Sequence, residues 1–206
     1  SLTASGKIFN TTTLIENGKL YAAGNVNSTN VRMENGLFNL SSTGQASISN
    51  IVLKDGEIDI AGTLLSRQLQ VQGGLLNVQA SGNIMHRGDM SIEGGQSNIA
   101  GKFNIDGTTR LLGGLLYVAP QGVMSNNDLA MQGGQFTIDG QLNNQKDAQI
   151  KGGKLIVNGR LNSAELVIAT LTKNAPATLR GTGFINSPTI ISGILAPGNS
   201  AGTLTF

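Results

Sequence analysis

A pair of turn-forming residues returns about every 19 positions along this chain, and that spacing decides what it can fold into. The pairs are Asn17-Gly18, Asn35-Gly36, Asp55-Gly56, Gly73-Gly74, Gly94-Gly95, Gly113-Gly114, Gly133-Gly134 and Gly152-Gly153, with steps of 18, 20, 18, 21, 19, 20 and 19 between their second members. Asn, Asp and Gly tolerate a left-handed backbone, so each pair reads as a sharp corner. A further glycine follows each pair, at Gly24, Gly44, Gly62, Gly82, Gly101, Gly122, Gly140 and Gly159. Its offset is 6, 8, 6, 8, 6, 8, 6 and 6, so one corner comes in a tight and a loose form.

Between corners the side chains alternate with the period of a strand. Two residues after the pair stand Leu20, Phe38, Ile58, Leu76, Ser97, Leu116, Phe136 and Leu155; four after it stand Ala22, Leu40, Ile60, Val78, Ile99, Val118, Ile138 and Val157. Two after the further glycine come Val26, Ala46, Leu64, Ile84, Phe103, Met124, Leu142 and Leu161. Three before the next pair come Met33, Leu53, Val71, Ile92, Leu111, Met131 and Ile150. Like stands above like on the inside of a coil. Three short strands and three corners per repeat describe an all-β, parallel β-solenoid, or β-helix. One coil cannot bury its own apolar face, so stability comes from stacking. Two inward residues at i and i+2 on one side favour a right-handed coil over a hexapeptide solenoid, and parallel crossovers share that hand. The repeated G-G-x-G-x-D motif of a calcium-loaded roll does not occur.

The register fails after Ile168, which predicts an irregular stretch over about 169–178 within one solenoid spanning 1–206. Leu2 and Ala4 already fit inward columns, and Thr203–Phe206 end in mid-strand. The expectation is a piece of a longer rod, since open solenoid edges need polar caps.

Composition narrows the function. Charged residues make up 13% of the chain, about half the ordinary share. There is no cysteine, which excludes a disulfide scaffold and thiolate chemistry. The net charge of +2 comes from scattered basic residues, so no nucleic-acid partner is expected. The longest apolar runs are far too short for a membrane span.

The closing stretch, Leu179-Arg180-Gly181-Thr182-Gly183-Phe184-Ile185-Asn186 and then Gly193-Ile194-Leu195-Ala196-Pro197-Gly198-Asn199-Ser200-Ala201-Gly202-Thr203-Leu204, resembles the passenger domains of bacterial autotransporters. The Pro-Gly-Asn-Ser-x-Gly-Thr-Leu run is its most specific part, and elsewhere the likeness rests on the coil period. Two-partner secreted exoproteins have similar coils and remain an alternative. The resemblance implies export through an outer-membrane barrel to the surface of a Gram-negative cell, or release from it. It also implies a role in adhesion, aggregation or biofilm formation.

Few residues suggest chemistry. His86, the one histidine, is expected at a solvated corner and without a metal. Glu57 and Asp59 lie two apart on one strand, about 6.6 Å by strand rise, within the range of an inverting glycosidase. Their expected neighbours are Leu37 and Leu75 beside Glu57, and Asn39 and Asn77 beside Asp59, which makes a solvated face and not a cleft. Ser97 is expected to be buried between Leu76 and Leu116, with its hydroxyl bonded to backbone. No catalytic residue and no cofactor is expected. The candidate contact face is the pair of outward rows after the first corner, carrying Leu37, Leu75, Leu115, Tyr21, Tyr117, Asn39, Asn77 and Asn98. Its partner would be a host surface protein, a glycan or another copy of the chain. A carbohydrate-active enzyme and a self-assembling solenoid polymer are the alternatives.

Overall fold

The glycine corners organise the whole chain. A computed structural model describes residues 2–170, 176–198 and 203–206. Among the described residues every named strand pairs in parallel, and the fold is a β-solenoid of about ten coils. Strands that follow the paired glycines, such as Gly18–Ala22, Gly36–Leu40, Leu75–Val78 and Leu115–Val118, stack into one 11-stranded sheet. The other strands form a 16-stranded sheet that wraps the rest of each coil. In the first four coils that second side is one nine-residue strand per coil: Lys7–Ile15, Asn25–Met33, Gln45–Leu53 and Thr63–Val71. From the fifth coil it divides, first into Asn83–His86 and Met90–Ile92.

The expected columns are present. Leu20, Phe38, Ile58, Leu76, Ser97, Leu116, Phe136 and Leu155 pair rung by rung. The core is a single stack of such columns, with Phe38, Phe103 and Phe136 almost fully buried. Leu2 and Ala4 align with Leu20 and Ala22, as their spacing predicts.

The two glycine columns have different reasons to exist. From Gly36 to Gly153 the second member of each pair has a positive φ, for instance +67° at Gly95. A methyl group on Gly95 would also lie 2.5 Å from the carbonyl carbon of Gly73 in the coil before. Gly18 departs from the expectation: its φ is ordinary, and the space beside it is open. The further glycines need closeness alone. Gly62 has an ordinary φ, yet a methyl there would meet the Gly44 carbonyl oxygen at 2.2 Å. The loose corners close on themselves, with the amides of Gly44, Gly82 and Gly122 donating to Ser41, Gln79 and Ala119. The tight corners donate instead to the coil before, as Gly62 does to Leu40.

A column that the alternation did not reveal makes the bend in the second side. Ser28, Ser66, His86, Asn126 and Asn144 point inward and are buried, with Ile48 and Ile105 among them. All its polar members but Ser66, whose hydroxyl meets His86, can donate to a carbonyl just past the bend. Ser28 Oγ donates to Asn30 at 2.9 Å, Asn126 Nδ2 to Asp128 at 2.8 Å and Asn144 Nδ2 to Lys146 at 2.7 Å. A carbonyl turned out of the ladder needs such a donor, because leaving it dry and unpaired is costly.

Of the stretch expected to be irregular, residues 171–175 lie outside the described residues. The strand Thr178–Gly181 already begins at its last position and rejoins the first sheet on Lys154–Val157.

Candidate contact surface

All eight residues expected on a contact face lie on the outer side of the 11-stranded sheet, in two adjacent rows. One row runs Lys19, Leu37, Glu57, Leu75, Gln96, Leu115, Gln135, Lys154, and the other Tyr21, Asn39, Asp59, Asn77, Asn98, Tyr117, Thr137, Ile156. Rungs are about 4.8 Å apart, so Leu37, Leu75 and Leu115, on every second rung, repeat at about 9.6 Å. The same three coils carry the loose corners.

Several polar members of the face are bonded to one another. Asp59 is 8% exposed and accepts from three amides: Asn39 and Asn77 at 2.8 Å, and Gln79 at 2.6 Å. The expectation of a solvated Asp59 is therefore corrected. Amide side chains from the coils on either side close over the carboxylate and take the place of water. Asn98 accepts from Gln96 at 2.7 Å. Tyr117 donates to Asp139 at 2.8 Å, and this bond to a carboxylate holds its phenol above the usual range. Asn158 donates to the other Asp139 oxygen at 2.8 Å. Leu115, 45% exposed, and half-buried Leu37 and Leu75 share the outward row with the charged Lys19, Glu57 and Lys154.

His86 also differs from its expectation. It is 1% exposed and belongs to the inward polar column. Its Nε2 meets the Asp89 carbonyl at 2.9 Å and so donates; its Nδ1, 2.8 Å from Ser66 Oγ, then accepts from that hydroxyl. Both contacts suit a neutral ring, and burial pushes its pKa down. The residue was read as lying near a bend, which is right, but the inward side of a bend is dry. Its four-residue offset from Gly82 matches Ser66 after Gly62 and Asn144 after Gly140, a spacing that carried the signal. Ser97 is buried as expected, yet its hydroxyl has no hydrogen-bond partner, because neighbouring strands occupy the backbone groups around it.

A second outer surface escaped the sequence reading. Arg87, Gly88 and Asp89 join the two strands of the fifth coil. Asp89 accepts from the Thr108 amide at 2.8 Å and pairs with Arg110, contacts that hold its carboxyl below the usual range. Arg87 forms no ion pair among the described residues. Beside it the long strands carry shallow hollows lined by Ser47, Ser49, Leu65 and Arg67. Among the described residues no three His, Asp or Glu side chains gather as a metal site would require.

This geometry defines a class of protein, the parallel β-solenoid. No family model, curated protein or solved structure matches the chain. The middle of the closing motif, residues 199–202, lies outside the described residues.

Proposed function

We propose that the chain is a non-catalytic segment of a bacterial surface protein, an adhesin or its stalk, exported in the manner of an autotransporter passenger. The observation that carries this reading is the continuous outer face of the 11-stranded sheet, with Leu37, Leu75 and Leu115 on alternate rungs and the adjacent row held by bonds through Asp59 and Asn98. Such a face offers apolar contact next to amides and a carboxylate that already have partners, and Glu57, between Leu37 and Leu75, supplies a charge at its edge. The likeness of the closing motif to autotransporter passengers supports the secretion class. Catalysis by Glu57 and Asp59 finds little support, because three amides already occupy the Asp59 carboxylate.

The test is a Leu37→Ser, Leu75→Ser, Leu115→Ser triple variant displayed within the parent protein on cells. Its thermal melt should match that of the wild type, and cell aggregation or surface attachment should fall. Undiminished attachment by the folded variant would overturn the adhesive face and leave the segment as a spacer.

A further inference from the structure

The long strands of the second sheet carry a feature on the side of the rod away from the leucine face. Three hollows run along their outer surface. The first, about 110 Å³, is lined by Ser47, Ser49, Leu65, Arg67 and Arg87 among others. It shares Ser47 and Ser49 with a second of about 280 Å³, and Ser47 and Leu65 with a third of about 280 Å³. Together they form a shallow trough along the axis, across the first five coils.

We propose that this trough binds an anionic polysaccharide, with Arg67 and Arg87 paired to its carboxylate or sulfate groups. Four observations converge on that chemistry. No acidic side chain lines any of the three hollows. Arg67 and Arg87 are exposed, and neither forms an ion pair among the described residues; the acid nearest Arg87 in sequence, Asp89, is committed to Arg110. The Arg87 amide bonds to the Ser66 carbonyl, so the two arginines sit on neighbouring rungs, about 4.8 Å apart. Like charges so placed repel, and an anion between them removes the repulsion. The remaining lining is mostly hydroxyl and amide, including Ser47, Ser49 and Asn27, with exposed Leu65 and Phe9 as apolar steps on which a sugar ring can rest. Sugars ask for that mixture of hydroxyl partners and small apolar patches. A nucleic acid would call for a basic stripe longer than two arginines. The guanidinium fork suits carboxylate and sulfate alike.

Binding of the intact chain to immobilised heparin, polygalacturonate and neutral dextran tests the proposal, with single-stranded DNA as a further polyanion. Heparin or polygalacturonate should bind, salt should weaken that binding, and dextran should not bind. The preference between the two acidic glycans tells sulfate from carboxylate. The Arg67→Gln, Arg87→Gln double variant should lose about tenfold or more in affinity, the worth of one charge-assisted contact. Ser47→Asp, which sets an acid in the trough and leaves both arginines in place, should do the same. Melts of both variants confirm that they fold. The leucine-face triple variant should bind the glycan as the wild type does, so this test and the adhesion test fail separately. Absence of binding to both acidic glycans, equal binding of dextran, equal binding of DNA, or double-variant affinity within about twofold of wild type would each overturn the proposal.

Discussion

Replacing Thr109 by valine should make this protein more stable. Thr109 is fully buried in a column between Met90 and Leu129, and its hydroxyl has no hydrogen-bond partner among the described residues. Valine has nearly the same shape and fits the same strand position, so the column need not repack. The substitution removes a dry, unpaired hydroxyl, worth about 1–3 kcal/mol. It also buries one more methyl group, worth about 0.8 kcal/mol. A net gain of about 2–4 kcal/mol follows. In urea the midpoint should rise with an unchanged slope. At about 2–4 °C per kcal/mol for a chain of this size, the thermal midpoint should climb by at least about 4 °C. Thr109→Ser is the control: it keeps the hydroxyl, loses a methyl, and should fall below wild type. A Thr109→Val protein no more stable than wild type would refute the reasoning, because it would mean that the hydroxyl finds a partner. Asn126 marks the boundary of the argument. Its Oδ1 is also unpaired, but its amide holds the Asp128 carbonyl, so Asn126→Leu should destabilise.

Ser97→Ala should stabilise by about 1 kcal/mol, less than Thr109→Val because no methyl replaces the lost oxygen, and urea melts read the difference. Stability should fall as the pH drops below the ordinary histidine value near 6.5, because the unfolded chain takes up a proton that neutral, buried His86 refuses, and the fall should level off below the lowered folded pKa. His86→Asn, which places at this bend the residue found at Asn126 and Asn144, should fold and lose that slope, as melts between pH 7 and 5 would show. Gly95→Ala combines a positive φ with a 2.5 Å contact to the preceding coil's backbone, so it should cost more than the roughly 1–2 kcal/mol of the left-handed conformation alone. A melt within about 1 kcal/mol of wild type would refute the corner geometry.

The solenoid was legible because two signals coincide in the chain. The paired glycines mark the corners, and columns such as Leu20, Phe38 and Ile58 mark the inside. Register followed directly, down to Leu37, Glu57 and Leu75 lying side by side. The reading stopped where polar residues turn inward. Ser28, Ser66, His86 and Asn126 look like surface residues when only apolar alternation is counted, but a bent strand needs internal donors for its displaced carbonyls. The two rows face outward as the alternation requires, whereas the burial of Asp59 was hidden, since it arises from amides reaching across from Asn39, Asn77 and Gln79. The trough was invisible for a related reason: Arg67 and Arg87 are twenty residues apart, and only the stacking of coils makes them neighbours.

Because the strands of each coil pair only with those of the coils before and after, the rod has an unusual mechanics. Its backbone hydrogen bonds run along the axis, so a pull on one end of the chain loads them one at a time and not in shear. The molecule should therefore peel, coil after coil, under modest force. A coil of about 19 residues stretches to roughly 63–68 Å at 3.3–3.6 Å per residue and shortens the rod by about 4.8 Å. Each step then pays out about 60 Å of thread. As the stalk proposed above, such a rod would let out line under tension before its attachment gives way.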